Sequence, residues 1–446
     1  MLIFILRHIF FYQIILFIIM QFNQIKINPN NLIFFLLLIM PICAIAGNLF
    51  INLNIVLTSI IGILIFFKDQ QFRFLKETSE IILLLLFFLI IFIFTIFYQI
   101  TIPKTFLLVK FLFFTITIVY FLKKNENALS KIFLFYGIIS FMLSIDVIFQ
   151  SYFSKNILGY INNYEYNSSF YGEEKLAGFH ILFFSFFTIS FLPSVFKKKI
   201  YQNLFLFFIL VIIPFSIFLS LNRISLITYF MGLIIFFILS NQKKKILIIL
   251  SLPVFLLLIF SHPDQKYKKN YQSFFIHGSM IIEKTFENYS DINEIDESKK
   301  NDSKFEIEKR YTGSGHAILF STAFFIWKDN KWFGIGYKQF YEKCVELNSH
   351  ICSTHPHNIF LDILVSFGII GTLPFLILLL SLLKKSISII VSNKNDDKFL
   401  HCLFVTNIMF FFPLQSSGSI LKSYLGFFAF TLIALSIFYF NHYYRK

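Results

Sequence analysis

The chain has 446 residues, of which 57% are hydrophobic and only 14% charged, with 67 phenylalanines and a mean hydropathy of +0.74. A soluble core of this length cannot hide so much apolar surface, so a soluble globular fold is excluded. The formal charge of +15 does not indicate a nucleic-acid partner, because the lysines fall in short clusters between apolar runs, where anionic lipid headgroups match them better.

In chain order, residues 1–30 open with an apolar segment that carries Arg7 and His8 and continues apolar from Ile9 to Met20 without an A-x-A cleavage site. This reads as a retained segment, interfacial or spanning, with a cleaved signal peptide as the alternative. Twelve apolar runs follow, near 31–48, 49–67, 81–100, 105–122, 131–151, 177–195, 203–220, 223–240, 245–261, 358–383, 399–415 and 421–441. A helix of about 20 residues crosses about 30 Å of hydrocarbon, so the expectation is an all-α polytopic membrane protein with about 12 transmembrane helices. Every second connection is basic: Lys68/Arg73/Lys76, Lys123/Lys124/Lys131, Lys197/Lys198/Lys199, Lys243/Lys244/Lys245, Lys384/Lys385/Lys394/Lys398 and the tail Arg445/Lys446. That alternation assigns the basic set to the cytoplasm. Residues 31–261 then form a helical bundle with a short external loop at 151–176, residues 262–357 a large external loop with short helices, and residues 358–446 the last spans and the tail. Within the large loop, 287–310 mixes both signs of charge and reads as a solvated insertion. No two-half hydropathy repeat of the transporter kind stands out.

Cys43 and Cys402 lie in apolar runs and read as small core residues. Cys344 and Cys352 lie close together in the external loop, where a disulfide is expected in an oxidising envelope; a pair of free thiols is the competing reading. The sequence S-T-H-P-H-N follows at 353–358, with Ser353 or Thr354 placed to cap a helix and Pro356 tolerated in its first turn. A helix start there offers unpaired N–H groups and a positive dipole to a phosphate, and His357 could take a proton from a sugar hydroxyl. An interfacial or metal-scavenging histidine pair is the alternative, although no zinc spacing is present. Arg223 stands at the external start of a run, either as an interfacial anchor or as a bidentate phosphate clamp. Residues Gly313 to His316 and Trp327 to Gly336 read as an amphipathic external helix closed by a glycine turn.

These pieces together resemble the O-antigen ligase and polymerase superfamily. The resemblance rests on G-I-G-x-x-x-F from Gly334 to Phe340, on H-P-H-N-x-x-L-D-x-L-x-x-x-G-I-I-G from His355 to Gly371, and on Arg223 at the outer end of an earlier run. Asp146 and Gln150 ahead of Gly159, and the stretch from Gly172-Glu173-Glu174 to Gly178, add to it. The chain departs from many members at His316 and at Tyr166-Asn167-Ser168-Ser169, where they carry arginine. Arg310, Lys175 or His316 then stand in for the second pyrophosphate contact.

The resemblance implies a GT-C-like membrane glycosyltransferase of the bacterial cytoplasmic membrane, working on its periplasmic face without cofactor or metal. It implies transfer of a glycan from a polyprenyl-diphosphate carrier to a hydroxyl of lipid A core or of a growing glycan. On that basis Arg223 meets the pyrophosphate, His357 serves as base, and Asn358, His355, Glu174 and His316 contact substrate. Ligase is preferred over polymerase because the motif and the loop before it are ligase-like. A lipid-oligosaccharide flippase and a membrane scaffold are the rival classes. Lys110, Asp146 and Asp362 are the few ionisable residues in or near the apolar runs, whereas the histidines and Arg223 collect at the outer edge, which disfavours a transporter.

Overall fold

The computed structural model describes residues 28–69, 78–98, 105–161, 166–273, 315–347, 351–392 and 397–444. The N-terminal apolar segment, the charged insertion at 287–310 and Arg310 lie outside them. The described residues contain no strand, only an isolated bridge between Lys155 and Ile161.

Helices α1 (Pro29–Leu38) and α2 (Met40–Ala46) come first, and α3 (Asn48–Lys68) and α4 (Ser79–Tyr98) follow. The next are α5 (Val109–Lys124), α6 (Ala128–Phe153), α7 (Ala177–Phe191), α8 (Lys199–Leu219), α9 (Arg223–Leu239) and α10 (Gln242–Ser261). After a short helix at 266–273 come α11 (Gly315–Asp329), α12 (Phe340–Glu346), α13 (Ile359–Ser392), α14 (Lys398–Phe410) and α15 (Ser423–Tyr444). Every apolar run of the sequence thus holds a helix, yet among the described residues only eight are long and apolar enough to cross a membrane, or up to nine if the bent pair α1 and α2 is one span. The expected twelve shrinks because α5 carries three lysines in 16 residues and because α9 and α14 have 17 and 13 residues.

The hydrophobic sorting is that of a bundle in lipid. Helix α15 is the hub, with 89% of its apolar window buried, whereas α10 has 17% and α3 has 33%. The peripheral helices turn Leu64, Ile234, Leu257 and Phe260 outward, which only an apolar solvent tolerates on this scale. Inside, phenylalanine fills the space between helices: Phe183 packs edge-on to Phe428 at 4.6 Å, Phe133 to Phe187 at 4.6 Å, and Phe111 stacks on Phe430 at 4.8 Å.

Polar groups collect at two opposite ends. At one, Lys124 pairs with Asp69, Lys385 reaches the fully buried Glu80 at 2.5 Å, and Glu80 also accepts from Ser381 at 2.6 Å and Asn441 at 3.0 Å. His442 meets Glu126 at 3.2 Å, and Tyr439 donates to Asp397 beside Lys398. These residues belong to the basic connections of the sequence, which therefore converge. At the other end Lys110 donates to Asn52 at 2.5 Å, Ser423 to Asn52 at 2.9 Å, and the Asp146 carboxylate receives the Ile157 N–H at 2.7 Å and the Ser169 hydroxyl. Gln150 adds a 2.8 Å bond from the Ser169 N–H. Asp146 and Gln150 thus fasten the short loop after α6 onto the end of the bundle.

Candidate active site

Helix α13 is broken at Gly368, where φ is 61° and ψ is −166°. The break frees carbonyls that the loop after α11 takes up: Ile335 N–H donates to Val365 at 2.9 Å and Gly336 N–H to Ser366 at 2.9 Å. In return, Ile369 N–H donates to Lys331 at 2.9 Å and Ile370 N–H to Trp332 at 3.2 Å. Backbone meets backbone here with no room for a Cβ. One added at Gly334 would lie 2.5 Å from Ser366 carbonyl carbon, and one at Gly368 would lie 2.3 Å from Trp332. The two glycine motifs are therefore the halves of a single splice, which pins the loop after α11 to the helix that begins at the histidines.

The start of α13 differs from the sequence expectation. Asn358 is the cap, its Oδ1 accepting from Phe360 N–H at 3.0 Å and Leu361 N–H at 3.1 Å. Its amide donates to the carbonyls of Pro413 at 2.6 Å and Gln415 at 3.2 Å. Ser353 and Thr354 thus do not cap the helix, and Pro356 lies ahead of it. The Asn358 side chain, expected to touch substrate, is engaged in holding α13 against the 411–422 loop.

His357 adopts φ 57°, an uncommon left-handed value that histidine takes more readily than most side chains. The turn sends its carbonyl to Ser417 N–H at 2.7 Å and its imidazole into a cluster. The ring centroid lies 4.3 Å from that of His355 and 5.1 Å from that of His316, and Nε2 lies 3.1 Å from Ser353 Oγ. His316, at the start of α11, meets Ser416 Oγ at 3.2 Å. Lys422 completes the group, its Nζ 2.7 Å from Thr354 Oγ1 and 3.1 Å from His355 Nδ1. Beneath it Asp362 is buried and hydrogen-bonded to Ser419. Burial, with Lys422 and His357 adding to it, pushes the His355 pKa down to about 3. Burial also lowers His357, aided by His316 and Lys422, and burial alone lowers His316. The Lys422 ammonium is lowered first by burial, with Lys338 adding to it and Asp362 opposing.

Cys344 on α12 is bonded to Cys352, their Cα atoms 5.8 Å apart, so the bridge abuts Ser353. Arg223 begins α9 next to Leu221, whose φ is 56°, and its Nε donates to Asn270 Oδ1 at 2.7 Å. A Cβ on Gly178 would lie 2.3 Å from Ser220 Oγ and 2.7 Å from Asn222 Cβ, and Phe179 then packs on Tyr424 with centroids 6.2 Å apart. Arg223 therefore shares the end of the bundle with the histidines. Glu174 and Lys175 are exposed on the turn after the 3-10 segment Ser169–Tyr171. The Lys175 ammonium lies 5.6 Å from the Tyr166 ring centroid, and Tyr171 joins the turn to Tyr424 at 3.2 Å.

The structure thus gathers His316, His355 and His357 in one cluster and places Arg223, Glu174 and Lys175 at the same end of the bundle, on other elements. Lys422, Lys338 and the 415–419 loop are the members that motif reading passed over. A signal for them exists: Gln415-Ser416-Ser417-Gly418-Ser419 is a polar run between two apolar ones, and Lys422 is a lysine at the start of the last apolar run. Among the described residues no group of three or more His, Cys, Asp or Glu is arranged to hold a metal ion.

A lipid-adapted helical bundle with a cluster of imidazoles and cations at one end defines the class, a multi-pass membrane protein. Residues 206–376 match the family model of the O-antigen ligases, and the match supports a membrane enzyme of the O-antigen ligase or polymerase type. The matched stretch includes Arg223, His316, the glycine splice and the His355–Asn358 motif, and it ends before Lys422. Among curated proteins none matches the chain.

Proposed function

We propose that the protein transfers a glycan from undecaprenyl diphosphate to an acceptor hydroxyl at the periplasmic face of the inner membrane, as an O-antigen ligase with lipid A core as acceptor. The observation that carries this reading is the convergence of His357, His355, His316 and Lys422 within the end of the bundle that also holds Arg223. In the proposed reaction the acceptor oxygen attacks the anomeric carbon, the bond from that carbon to the carrier phosphate oxygen breaks, and the carrier leaves as its diphosphate. His357, neutral because burial and neighbouring positive charge depress its pKa, takes the hydroxyl proton. Arg223, with Lys175 or Arg310, offsets the charge that develops on the diphosphate. A diphosphate is a competent leaving group, so the scheme requires no metal or cofactor, and EDTA leaves the rate unchanged.

The test is transfer by purified protein in detergent, with carrier-linked glycan, acceptor and no ion gradient, the product read by mass spectrometry. His357→Ala lowers the rate by about 10²- to 10⁴-fold while the protein remains folded. Full activity in that variant removes the base from the scheme, and an absolute need for a gradient returns the protein to the transporters. Polymerisation of repeat units uses the same groups and is separated in a deletion strain. Loss of capped lipopolysaccharide with long carrier-linked glycan accumulating identifies the ligase, and short carrier-linked units identify the polymerase.

A further inference from the structure

Two histidines of the same motif lie ring to ring, and their nitrogens are not equivalent. Lys422 Nζ lies 3.1 Å from His355 Nδ1. An ammonium has three donors and no acceptor, so Nδ1 must be the accepting, unprotonated nitrogen. Thr354 fits the same assignment: its oxygen accepts from Lys422 at 2.7 Å, which leaves its proton free for His355 Nδ1 at 3.2 Å. The single proton of a neutral imidazole then sits on the far nitrogen. That nitrogen, Nε2, is buried and has no protein partner among the described residues. A buried His180 Nε2 is unpartnered too, but its ring lies among Phe184 and Phe428 in the hydrocarbon-like interior. His355 Nε2 instead lies in the polar cluster beneath Gly418, and a Cβ at Gly418 would come within 3.9 Å of it.

The geometry points to Lys422 as a positioning residue that locks His355 as the Nε2–H tautomer, whose N–H donates to a diphosphate oxygen of the substrate once the 415–419 loop moves aside. The inference rests on the proposed function and divides its labour. His357 moves a proton, while His355 holds one fixed and offers it as a hydrogen bond. An unpaired buried donor is costly, and a phosphate oxygen beneath Gly418 relieves that cost.

The test is NMR of the full chain in detergent with isotope-labelled histidine, the His355 signals assigned by their loss in His355→Gln. Without substrate, the wild type shows the His355 proton on Nε2 alone, and Lys422→Met shows a mixture of both tautomers. A proton on Nδ1 in the wild type, or an unchanged tautomer in Lys422→Met, overturns the positioning role. Addition of inorganic pyrophosphate moves the His355 Nε2–H resonance in the wild type. The move is weakened in Gly418→Ala, whose added methyl makes only ordinary contacts of 3.8 Å with Leu425 and 3.9 Å with His355 and so leaves the melting temperature unchanged. An unmoved resonance in the wild type overturns the donor role. The tautomer is read without turnover, so it is decided even if transfer activity is absent and the proposed function fails.

Discussion

Burial lowers the proton affinity of His357, and the charges of His316 and Lys422 lower it further. A base works deprotonated, and a depressed pKa keeps the ring deprotonated below the ordinary value of about 6.5. The rate is therefore expected to stay level as pH falls through 6.5 and to drop only at lower pH, with the midpoint of the fall reporting the pKa of His357. Replacing His316 with Gln removes the larger of the two repulsions, so the acid limb of kcat/KM climbs toward the ordinary histidine value. A limb that stays in place shows that burial and Lys422 set it without His316. His316 is also a residue whose part the sequence left open: the motif marked His355 and His357 as neighbours, but His316 is separated from them by some forty positions, and only the glycine splice brings α11 back to the start of α13. Asn358 shows the converse, a motif residue whose side chain is occupied in capping and in bonds to Pro413 and Gln415.

That splice makes a prediction at the level of elements. Gly368→Ala carries two costs, a left-handed φ of 61° and a contact of 2.3 Å with Trp332 backbone, whereas Gly172→Ala carries only the first, with φ 63° and nothing within 4 Å. The conformational cost is about 1–3 kcal/mol in both, and forced overlap adds about 1–3 kcal/mol at Gly368. Thermal melts in detergent are expected to show the larger fall for Gly368→Ala, together with lost activity, because the loop it anchors carries Lys338 and leads to the bridged α12. Equal melting temperatures remove the splice from the account. The disulfide acts on the same segment: by chain entropy, closing so short a loop contributes about 2.5 kcal/mol, and it fixes Cys352 next to the Ser353 that holds His357. Reductant, or the double variant Cys344→Ser with Cys352→Ser, is expected to lower both the melting temperature and the transfer rate by about tenfold, the rate loss corresponding to about 1.4 kcal/mol. The cysteine spacing and both glycine motifs were legible as residues, since their neighbours in sequence are their neighbours in space. What they join was not, because a helix broken at Gly368 has the same hydropathy as a straight one.

At the scale of the whole molecule, hydropathy read the helices well and their lengths poorly. An apolar run records where the chain leaves water, but α14 is cut short by the backbone at Phe411, before its run ends at 415, which hydropathy does not register. The alternation of lysines reads through more faithfully, since the residues flanking Asp69, Glu80, Glu126, Lys385 and Asp397 meet at one end of the bundle, while Lys155, Arg223 and the histidines lie at the other. Charge in short connections orients the whole chain, so the lysine-rich end is expected in the cytoplasm and the candidate site outside. Few thiols interfere with a labelling test: Cys43 and Cys402 are buried and the other two are bonded to each other. Lys155→Cys and Lys198→Cys, both at exposed positions, are to be treated with a membrane-impermeant maleimide on spheroplasts and again after lysis. Lys155→Cys should react in both and Lys198→Cys only after lysis. The reverse pattern places the histidine cluster in the cytoplasm, where a carrier-linked glycan already moved across the membrane is out of its reach.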